Sequence, residues 1–312
     1  MGEKKRWGGS VAFVTGAASG IGRAISEEAA RRGAEVVMAD RQASLAEEAA
    51  KAIVRNGGKA TACELDVCDF DAFTRIVNAT VKRTGRVDYL FNNAGIAVGG
   101  EVASYTRADW DDVFDVNLRG VAYGIQAAYP HMITQGGGHI VNTASVAGLV
   151  PSGEAASYTA TKHAVVGLSK ALRVEAARYG VRVSVLCPGA IRTPILTGGK
   201  YGRMKMPGVT SQQVMEQWER VWPIEPGVLA RKTLDAVEKN AAIIVIPGWW
   251  KVLWYLDRFS PGLSMALSRK MLEDLRKTWG VPEGGKLAAR TEEERVKEEM
   301  AARTNGPTRG VS

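Results

Sequence analysis

Tyr158 and Lys162 stand four residues apart, a spacing that places both side chains on one face of a helix. A phenol with the ordinary pKa of about 10 is ionised in about one molecule in a thousand at pH 7, so it can act as a base only when its pKa is lowered. A nearby lysine ammonium favours the phenolate and would lower that pKa. The pair therefore predicts a general acid–base that takes the hydroxyl proton of an alcohol while a hydride leaves its carbon.

Two polar residues earlier in the chain complete a candidate catalytic set. Ser145 follows an apolar run, where its hydroxyl can bind a substrate oxygen and hold it near the reacting carbon. Asn117 is expected to fix a water that connects Lys162 to solvent, and Glu154 is expected to be a solvated loop residue. Taken singly, each candidate also has an ordinary structural explanation. Ser145 could be a turn residue, and Tyr158 and Lys162 could be a pair on an amphipathic helix. Asn117 could be an amide that packs between helices. Their joint occurrence after a nucleotide-binding turn favours catalysis.

A glycine-rich turn follows the first apolar run and could hold a pyrophosphate. Glycines let the backbone approach the phosphates, and the N-terminus of the helix behind them offers free N–H groups and a positive dipole end. Strand, turn and helix in this order predict a dinucleotide site. Its expected contacts are Gly16, Ser19, Gly20, Ile21 and Gly22.

Asp40 ends the second predicted strand, 18 residues after Gly22. An acid near this spacing accepts the hydroxyls of the adenosine ribose, and its charge would repel a 2′-phosphate. The neighbouring Arg41 argues for the opposite preference, since it could pair with that phosphate. Because position 19 holds serine rather than a base, NAD is favoured over NADP, and an NADPH-dependent ketone reductase is the alternative.

Short β-branched runs alternate with longer amphipathic stretches as far as residue 246, which predicts an α/β fold. We expect a Rossmann-type, doubly wound parallel sheet of about seven strands with helices on both faces. The predicted strands are 11–15, 35–39, 60–65, 87–92, 139–144, 181–186 and 242–246, and the predicted helices are 21–32, 43–56, 70–84, 109–135, 157–179 and 227–239. Gly33, Gly57 and Gly180 stand where helices should stop.

Taken in order, these motifs resemble those of the classical short-chain dehydrogenase/reductase family over about residues 8–247. The segment 15–22 is similar to the family's cofactor turn, 92–95 to its NNAG motif, and 158–162 to its YxxxK motif. The resemblance implies catalytic roles for Asn117, Ser145, Tyr158 and Lys162, the last two also touching the cofactor. It implies further cofactor contacts at Asp66, Val67, Asn93, Ala94, Gly95, Pro188, Gly189, Ile191 and Thr193, and a homodimer or homotetramer paired through helices 109–135 and 157–179.

The chain divides by composition into three parts. Residues 1–248 are expected to form the dinucleotide-binding and catalytic domain, with a mobile substrate loop at about 190–222. Residues 249–280 are expected to form a Trp-rich amphipathic helical extension, and 281–312 a polar, partly disordered tail. The residues flanking the presumed pocket are apolar, which favours a lipophilic substrate such as a steroid-like, terpenoid or aryl alcohol. They are Val146, Leu149, Val150, Pro151, Ile195 and Leu196, with Met204 and Met206 nearby.

Charge and composition restrict the other function classes. The net charge of +8 is mostly dispersed, without the aromatic-interleaved stripe of single-strand binders, so nucleic acid is not an expected partner. Three cysteines and three histidines lack metal-ligand spacing, so we expect no metal, reduced thiols and a cytoplasmic protein. The apolar run 243–256 is too short to span a bilayer, but 249–280 could contact a membrane surface, cap the pocket or pack on a partner. A non-catalytic nucleotide-binding scaffold is the distant alternative.

Overall fold

Seven parallel strands form the central sheet of the computed structural model, which describes residues 7–197, 201–205 and 209–279. The order across the sheet places the third, second and first strands on one side and the fourth, sixth, seventh and ninth on the other. The strands are β1 (Val11–Thr15), β2 (Glu35–Asp40), β3 (Lys59–Glu64), β4 (Tyr89–Asn92), β5 (Ala97–Gly100), β6 (Gly138–Thr143), β7 (Val181–Pro188), β8 (Gly202–Lys205) and β9 (Ile243–Ile246). Because the order reverses beside β1, a crevice opens at the carboxyl ends of β1 and β4.

Helices cover both faces of this sheet. They are α1 (Gly20–Arg32), α2 (Ala43–Arg55), α3 (Phe70–Thr84), α4 (Arg107–Phe114), α5 (Gly120–Thr134), α6 (Ala156–Ala176), α7 (Ser211–Glu219), α8 (Pro226–Glu238), α9 (Trp250–Phe259) and α10 (Pro261–Thr278). Along β1, Phe13 packs into the cluster with α3, α5 and α6, whereas Ala12 and Val14 pack into the cluster with α1, α2 and α8. This alternation confirms the predicted doubly wound α/β fold.

The predicted strands and helices are present with small shifts at their ends, except for one helix. The stretch predicted as a single helix at 109–135 is α4, a π-helical turn at Asp115–Arg119, and α5. Gly33 and Gly180 cap their helices in the left-handed conformation, with φ of 106° and 69°. The prediction missed the π turn because inserting one extra residue per turn barely changes the apolar periodicity.

A second, two-stranded parallel sheet joins β5 to β8 above the carboxyl ends of the main sheet. The prediction treated 190–222 as an irregular insertion, whereas its described part contains a 3-10 turn at Pro194–Thr197, β8 and α7. Residues 198–200 and 206–208, including Met206, lie outside the described residues.

Two helices, α9 and α10, form the described part of the extension that was predicted at 249–280. No helix among the residues that the structure describes is long and apolar enough to cross a bilayer. Cys63, Cys68 and Cys187 are free thiols. The predicted polar tail, 281–312, lies outside the described residues.

Candidate active site

The glycine-rich turn after β1 is packed too closely for larger residues. A Cβ added at Gly16, where φ is +63°, would lie 2.9 Å from the Ala94 Cα. A Cβ added at Gly22 would lie 2.2 Å from the Gly16 carbonyl oxygen. The turn therefore brings the start of α1 against the segment that follows β4.

The N-terminus of α1 keeps its N–H groups available for an anion. Ser19 is the N-cap residue, yet its side chain makes no capping hydrogen bond, and the first turn of this helix carries no acidic residue. Uncapped N–H groups and the positive dipole end together favour a phosphate. These features fit the pyrophosphate of a dinucleotide.

Asp40 connects the end of β2 to this turn. Its carboxylate accepts hydrogen bonds from the Ala18 N–H at 3.0 Å and the Gln42 N–H at 2.9 Å, and the residue is 6% exposed. Arg41 next to it is exposed. A buried negative charge and an exposed positive one thus meet where the ribose of a bound dinucleotide would lie.

Thr15 fastens the NNAG segment to the glycine turn. Its hydroxyl oxygen accepts from the N–H groups of Asn93 at 3.0 Å and Ala94 at 3.1 Å, and the Asn93 amide donates to the Thr15 carbonyl at 3.1 Å. Thr15 begins the motif 15–22, but these hydrogen bonds were not predicted, because a threonine at a strand end has no distinctive signal.

Two of the predicted cofactor contacts, Asp66 and Val67, follow β3. The Asp66 carboxylate accepts from the Cys68 N–H at 2.9 Å and is exposed. Val67 is buried, and its side chain lies against Gly120, where an added Cβ would be only 2.7 Å away.

Ser145 and Tyr158 come together at the carboxyl end of β6. Ser145 follows that strand, and its hydroxyl oxygen accepts from the Ala147 N–H at 3.2 Å. Tyr158 lies in the first turn of α6 and is half-buried. Burial raises the pKa of the Tyr158 phenol, and a hydrogen bond with the Ser145 side chain opposes this by lowering it. The two hydroxyls therefore face one position.

Lys162 is buried beside this pair. Its ammonium donates to the Thr143 carbonyl at 2.9 Å and lies 5.4 Å from the centre of the Tyr158 ring. Burial lowers the pKa of Lys162 to about 8. The sequence predicted that this ammonium would lower the pKa of Tyr158, but in the chain alone burial of the phenol has the larger effect and the lysine charge is directed at a carbonyl.

Asn117 lies in the π-helical turn and is fully buried. Its side-chain oxygen accepts from the Ile96 N–H at 2.8 Å, and its amide donates to the Ile96 carbonyl at 2.9 Å. A Cβ added at Gly95 would lie 3.3 Å from the Asn117 oxygen and 3.5 Å from the Lys162 nitrogen. Asn117 thus holds the backbone beside Lys162, and its predicted part in a water path stays a prediction.

The end of β7 and the segment after it also contribute residues to the site. The Ser145 hydroxyl lies 3.5 Å from the Pro188 carbonyl oxygen, Ile191 is buried, and the Thr193 methyl lies 3.2 Å from where a Cβ at Gly20 would be. The glycine turn, the serine and this segment are therefore neighbours at one edge of the sheet.

A protein-family model described as "short chain dehydrogenase" matches residues 10–200. The chain belongs to the short-chain dehydrogenase family. It is 39% identical over 189 residues to levodione reductase from Leifsonia aquatica, covering 60% of this chain and 71% of that protein. Cyclohexanol dehydrogenase from Acinetobacter sp. is 38% identical over 194 residues, covering 61% of this chain and 76% of that protein. The enzyme is thus an alcohol or ketone oxidoreductase.

A crystal structure also resembles this dehydrogenase. It is a short-chain dehydrogenase/reductase from Burkholderia phymatum in complex with NAD, with a TM-score of 0.75 and 30% identity, covering 83% of this chain and 96% of that chain. The likeness extends past residues 10–200 and so includes more of the fold than the family model.

Three predicted pocket residues of the dehydrogenase are buried in the structure. Val146, Leu149 and Val150 are at most 9% exposed and belong to a core cluster against which Trp250, Leu253 and Trp254 pack. Pro151, Ile195 and Leu196 are half-buried, and Met204 is exposed.

The extension of the dehydrogenase also contacts the loops around the site. A Cβ added at Gly189 would lie 2.0 Å from the Trp250 indole nitrogen, so α9 packs directly on this segment. Likewise a Cβ added at Gly153 would lie 2.8 Å from Leu272 of α10.

Arg276 of α10 forms ion pairs with two acids beside the site, Glu154 and Glu101. The expectation that Glu154 is a solvated loop residue is wrong, since its side chain is 11% exposed and paired. No local signal in the sequence links positions so far apart, so these residues were missed.

Proposed function

We propose that this enzyme transfers a hydride between NAD and the carbon of a secondary alcohol or ketone, with Tyr158 as general acid–base. The observation that carries the proposal is the meeting of Ser145, Tyr158 and Lys162 at the carboxyl edge of the sheet, beside the glycine turn. A bound nicotinamide ring would supply or accept the hydride. Side chains of the chain itself would position the substrate and transfer the proton.

Each of these side chains has a distinct task in the proposed reaction. The Ser145 hydroxyl binds the substrate oxygen and sets its distance from the Tyr158 oxygen. The Tyr158 oxygen then accepts the hydroxyl proton in the oxidising direction and donates it in the reducing direction. Lys162, whose pKa of about 8 is close to neutral, stabilises the phenolate once it forms. Asn117 keeps the Ile96 backbone, and so Gly95, beside the lysine.

Asp40 supports NAD as the cofactor. Its carboxylate is fixed by two backbone N–H groups at the end of β2, so it cannot turn away from a 2′-phosphate. The crystallographic relative from Burkholderia phymatum also binds NAD. The exposed Arg41 supports the alternative, an NADPH-dependent ketone reductase, and a comparison of kcat/KM for the two cofactors separates them.

A lipophilic substrate is supported by the half-buried Pro151, Ile195 and Leu196, and by the relative named for cyclohexanol. The test is cofactor reduction, followed by absorbance, across a panel of alicyclic, steroid-like, terpenoid and aryl alcohols, with polyols and sugar phosphates as the contrast set. Turnover confined to the contrast set contradicts this substrate class but not the hydride chemistry. No turnover on either set, with NAD or NADP, contradicts the function itself.

We also propose a homodimer or homotetramer paired through α4–α5 and α6. It is supported by the chain's membership of the short-chain dehydrogenase family, whose resemblance implies pairing through these helices. Light scattering coupled to size-exclusion chromatography measures the state directly, and a monomer at all concentrations contradicts the proposal.

A further inference from the structure

Helices α9 and α10 carry an unusual share of the exposed apolar surface. Among the residues that the structure describes, fifteen large apolar residues are exposed, and eight of them lie within 249–271. Exposed apolar residues are ordinary when scattered singly, but a concentration of this kind marks a contact surface.

Six of these eight residues form one stripe on each helix, which we call the α9 stripe and the α10 stripe; Trp249 and Met265 lie outside the stripes. The α9 stripe consists of Val252, Tyr255 and Phe259, which fall within about 60° of one another around the helix. The α10 stripe consists of Leu263, Leu267 and Met271, at successive four-residue intervals. Phe259, 87% exposed, and Leu263, 56% exposed, flank the turn between the helices, so apolar side chains stand at the tip of the pair.

The charge around the stripes is positive. Residues 249–279 contain six bases and three acids, a net charge of +3. The bases are Lys251, Arg258, Arg269, Lys270, Arg276 and Lys277, of which Arg276 pairs with Glu154 and Glu101 and so adds no charge at the stripes. A second copy docking on this surface about a two-fold axis would bring each stripe and its bases against themselves, and like charges would repel. An anionic surface complements the same bases, so the charge favours anionic lipid over self-association.

The two helices that carry the stripes also contact the loops of the site. The other sides of α9 and α10 contact Gly189 and Gly153, in loops at the carboxyl edge of the sheet. A bilayer that bound the stripes would therefore lie on the outer side of these two helices, whose inner sides contact the site loops.

We propose that the α9 and α10 stripes bind the surface of an anionic lipid bilayer. The apolar side chains insert at the boundary between headgroups and acyl chains, to a depth of roughly 5–10 Å, while the exposed bases Lys251, Arg258 and Lys270 contact lipid phosphates and carboxylates. Contact of this kind is peripheral. Binding requires no turnover, so its test is independent of the proposed function.

The experiment is flotation of the full chain with vesicles of phosphatidylcholine alone or phosphatidylcholine with phosphatidylserine. We expect the protein to float with the anionic vesicles at low salt, and less so at high salt or with the neutral vesicles. The double variant Phe259→Ser, Leu263→Ser should lower the vesicle-bound fraction about tenfold or more. Its matched control is Leu45→Ser, Val54→Ser, which removes two exposed apolar side chains from α2 and should bind as the native chain does.

A second pair of variants tests the charge. Lys251→Gln with Arg258→Gln should weaken binding to the anionic vesicles about tenfold, whereas Lys51→Gln with Arg55→Gln on α2 should not. Because these side chains are exposed, the variants should fold, which circular dichroism checks. Absence of flotation with anionic vesicles at low salt overturns the proposal. So does a finding that the Phe259, Leu263 variant changes the oligomeric mass while leaving flotation unchanged, since the stripes would then be an interface between copies.

Discussion

The Arg276 guanidinium donates to the Glu154 carboxylate across 2.8 Å, which joins the last described helix to the loop that precedes Tyr158. The same guanidinium also pairs with Glu101, directly after β5. One side chain of the extension thus holds two of the loops at the carboxyl edge of the sheet. The ion pairs are partly shielded from solvent, with the Arg276 side chain 33% exposed.

Arg276→Gln should loosen α10 without unfolding the sheet. Losing two partly shielded ion pairs should cost about 1 kcal/mol of local stability, which speeds amide exchange in residues 261–279 about fivefold. Hydrogen–deuterium exchange measures this directly. Arg269→Gln is the control, because the Arg269–Glu273 pair lies on the surface of α10 alone. Equal exchange in the two variants would mean that the contacts with Glu154 and Glu101 do not hold the helix.

Tyr158→Phe should lower kcat by about 10²–10⁴-fold on any substrate that the enzyme turns over, because the variant has no group to take or give the proton. Dinucleotide affinity, measured by calorimetry, should change far less than turnover. Tyr105→Phe is the control, since it removes another half-buried phenol, one that donates to the Val98 carbonyl. Unchanged turnover in Tyr158→Phe would refute the proposed mechanism.

Lys162→Met should change how stability depends on pH. Burial lowers the Lys162 pKa from 10.5 to about 8 in the folded chain, so between these values the unfolded chain holds a proton that the folded chain lacks. Native stability therefore gains a contribution as pH rises from about 8 to 10.5. Below pH 8 the buried charge costs about 3 kcal/mol, part of which the hydrogen bond to Thr143 returns.

The measurement for Lys162→Met is denaturant unfolding of variant and native chains across this pH range. The stability advantage of the variant should fall by about 3 kcal/mol between pH 8 and pH 10.5. Lys170→Met, at an exposed position of the same helix, is the control and should show no such trend. Parallel curves of stability against pH for the native chain and Lys162→Met would show that the pKa of Lys162 is not lowered in the folded chain.

Asp40→Ala should reduce the preference for NAD over NADP, measured as the ratio of kcat/KM values, about tenfold or more, since the charge that repels a 2′-phosphate is gone. The substitution should also lower the free energy of unfolding by about 1–3 kcal/mol, because the Ala18 and Gln42 N–H groups lose their acceptor. Asp88→Ala is the matched control. Asp88 also accepts from a backbone N–H, that of Val11, but at the amino ends of the strands. A cofactor ratio that shifts equally in both variants would count against Asp40 as the selector.

The main sheet could be predicted from the sequence because most of its strands, such as β1, β2 and β9, are local apolar runs bounded by turns or helices. Parallel strands that are buried on both faces need such runs, and the glycine turn fixed the position of the first crossover. The small sheet of β5 and β8 was missed for the opposite reason. Its strands have only four residues each, β5 contains two glycines, and the partners lie about a hundred positions apart.

The site could be predicted where chemistry depends on residue type and spacing, as for Tyr158 and Lys162. What depends on packing could not be predicted. Val146, Leu149 and Val150 are apolar whether they line a cleft or support it, and only the fold shows that they are buried in a core cluster. Similarly, the direction of the Tyr158 pKa depends on how deeply the phenol is buried, which spacing on a helix does not reveal.

Helices α9 and α10 reach the loops that follow β5, β6 and β7, and they come soon after β9 in the chain. All four catalytic candidates lie outside these helices, between residues 117 and 162. Reaction chemistry and entrance geometry are thus encoded in separate stretches of the gene product. Evolution could exchange the second stretch for another and obtain a dehydrogenase of new selectivity, with its proton and hydride chemistry inherited intact.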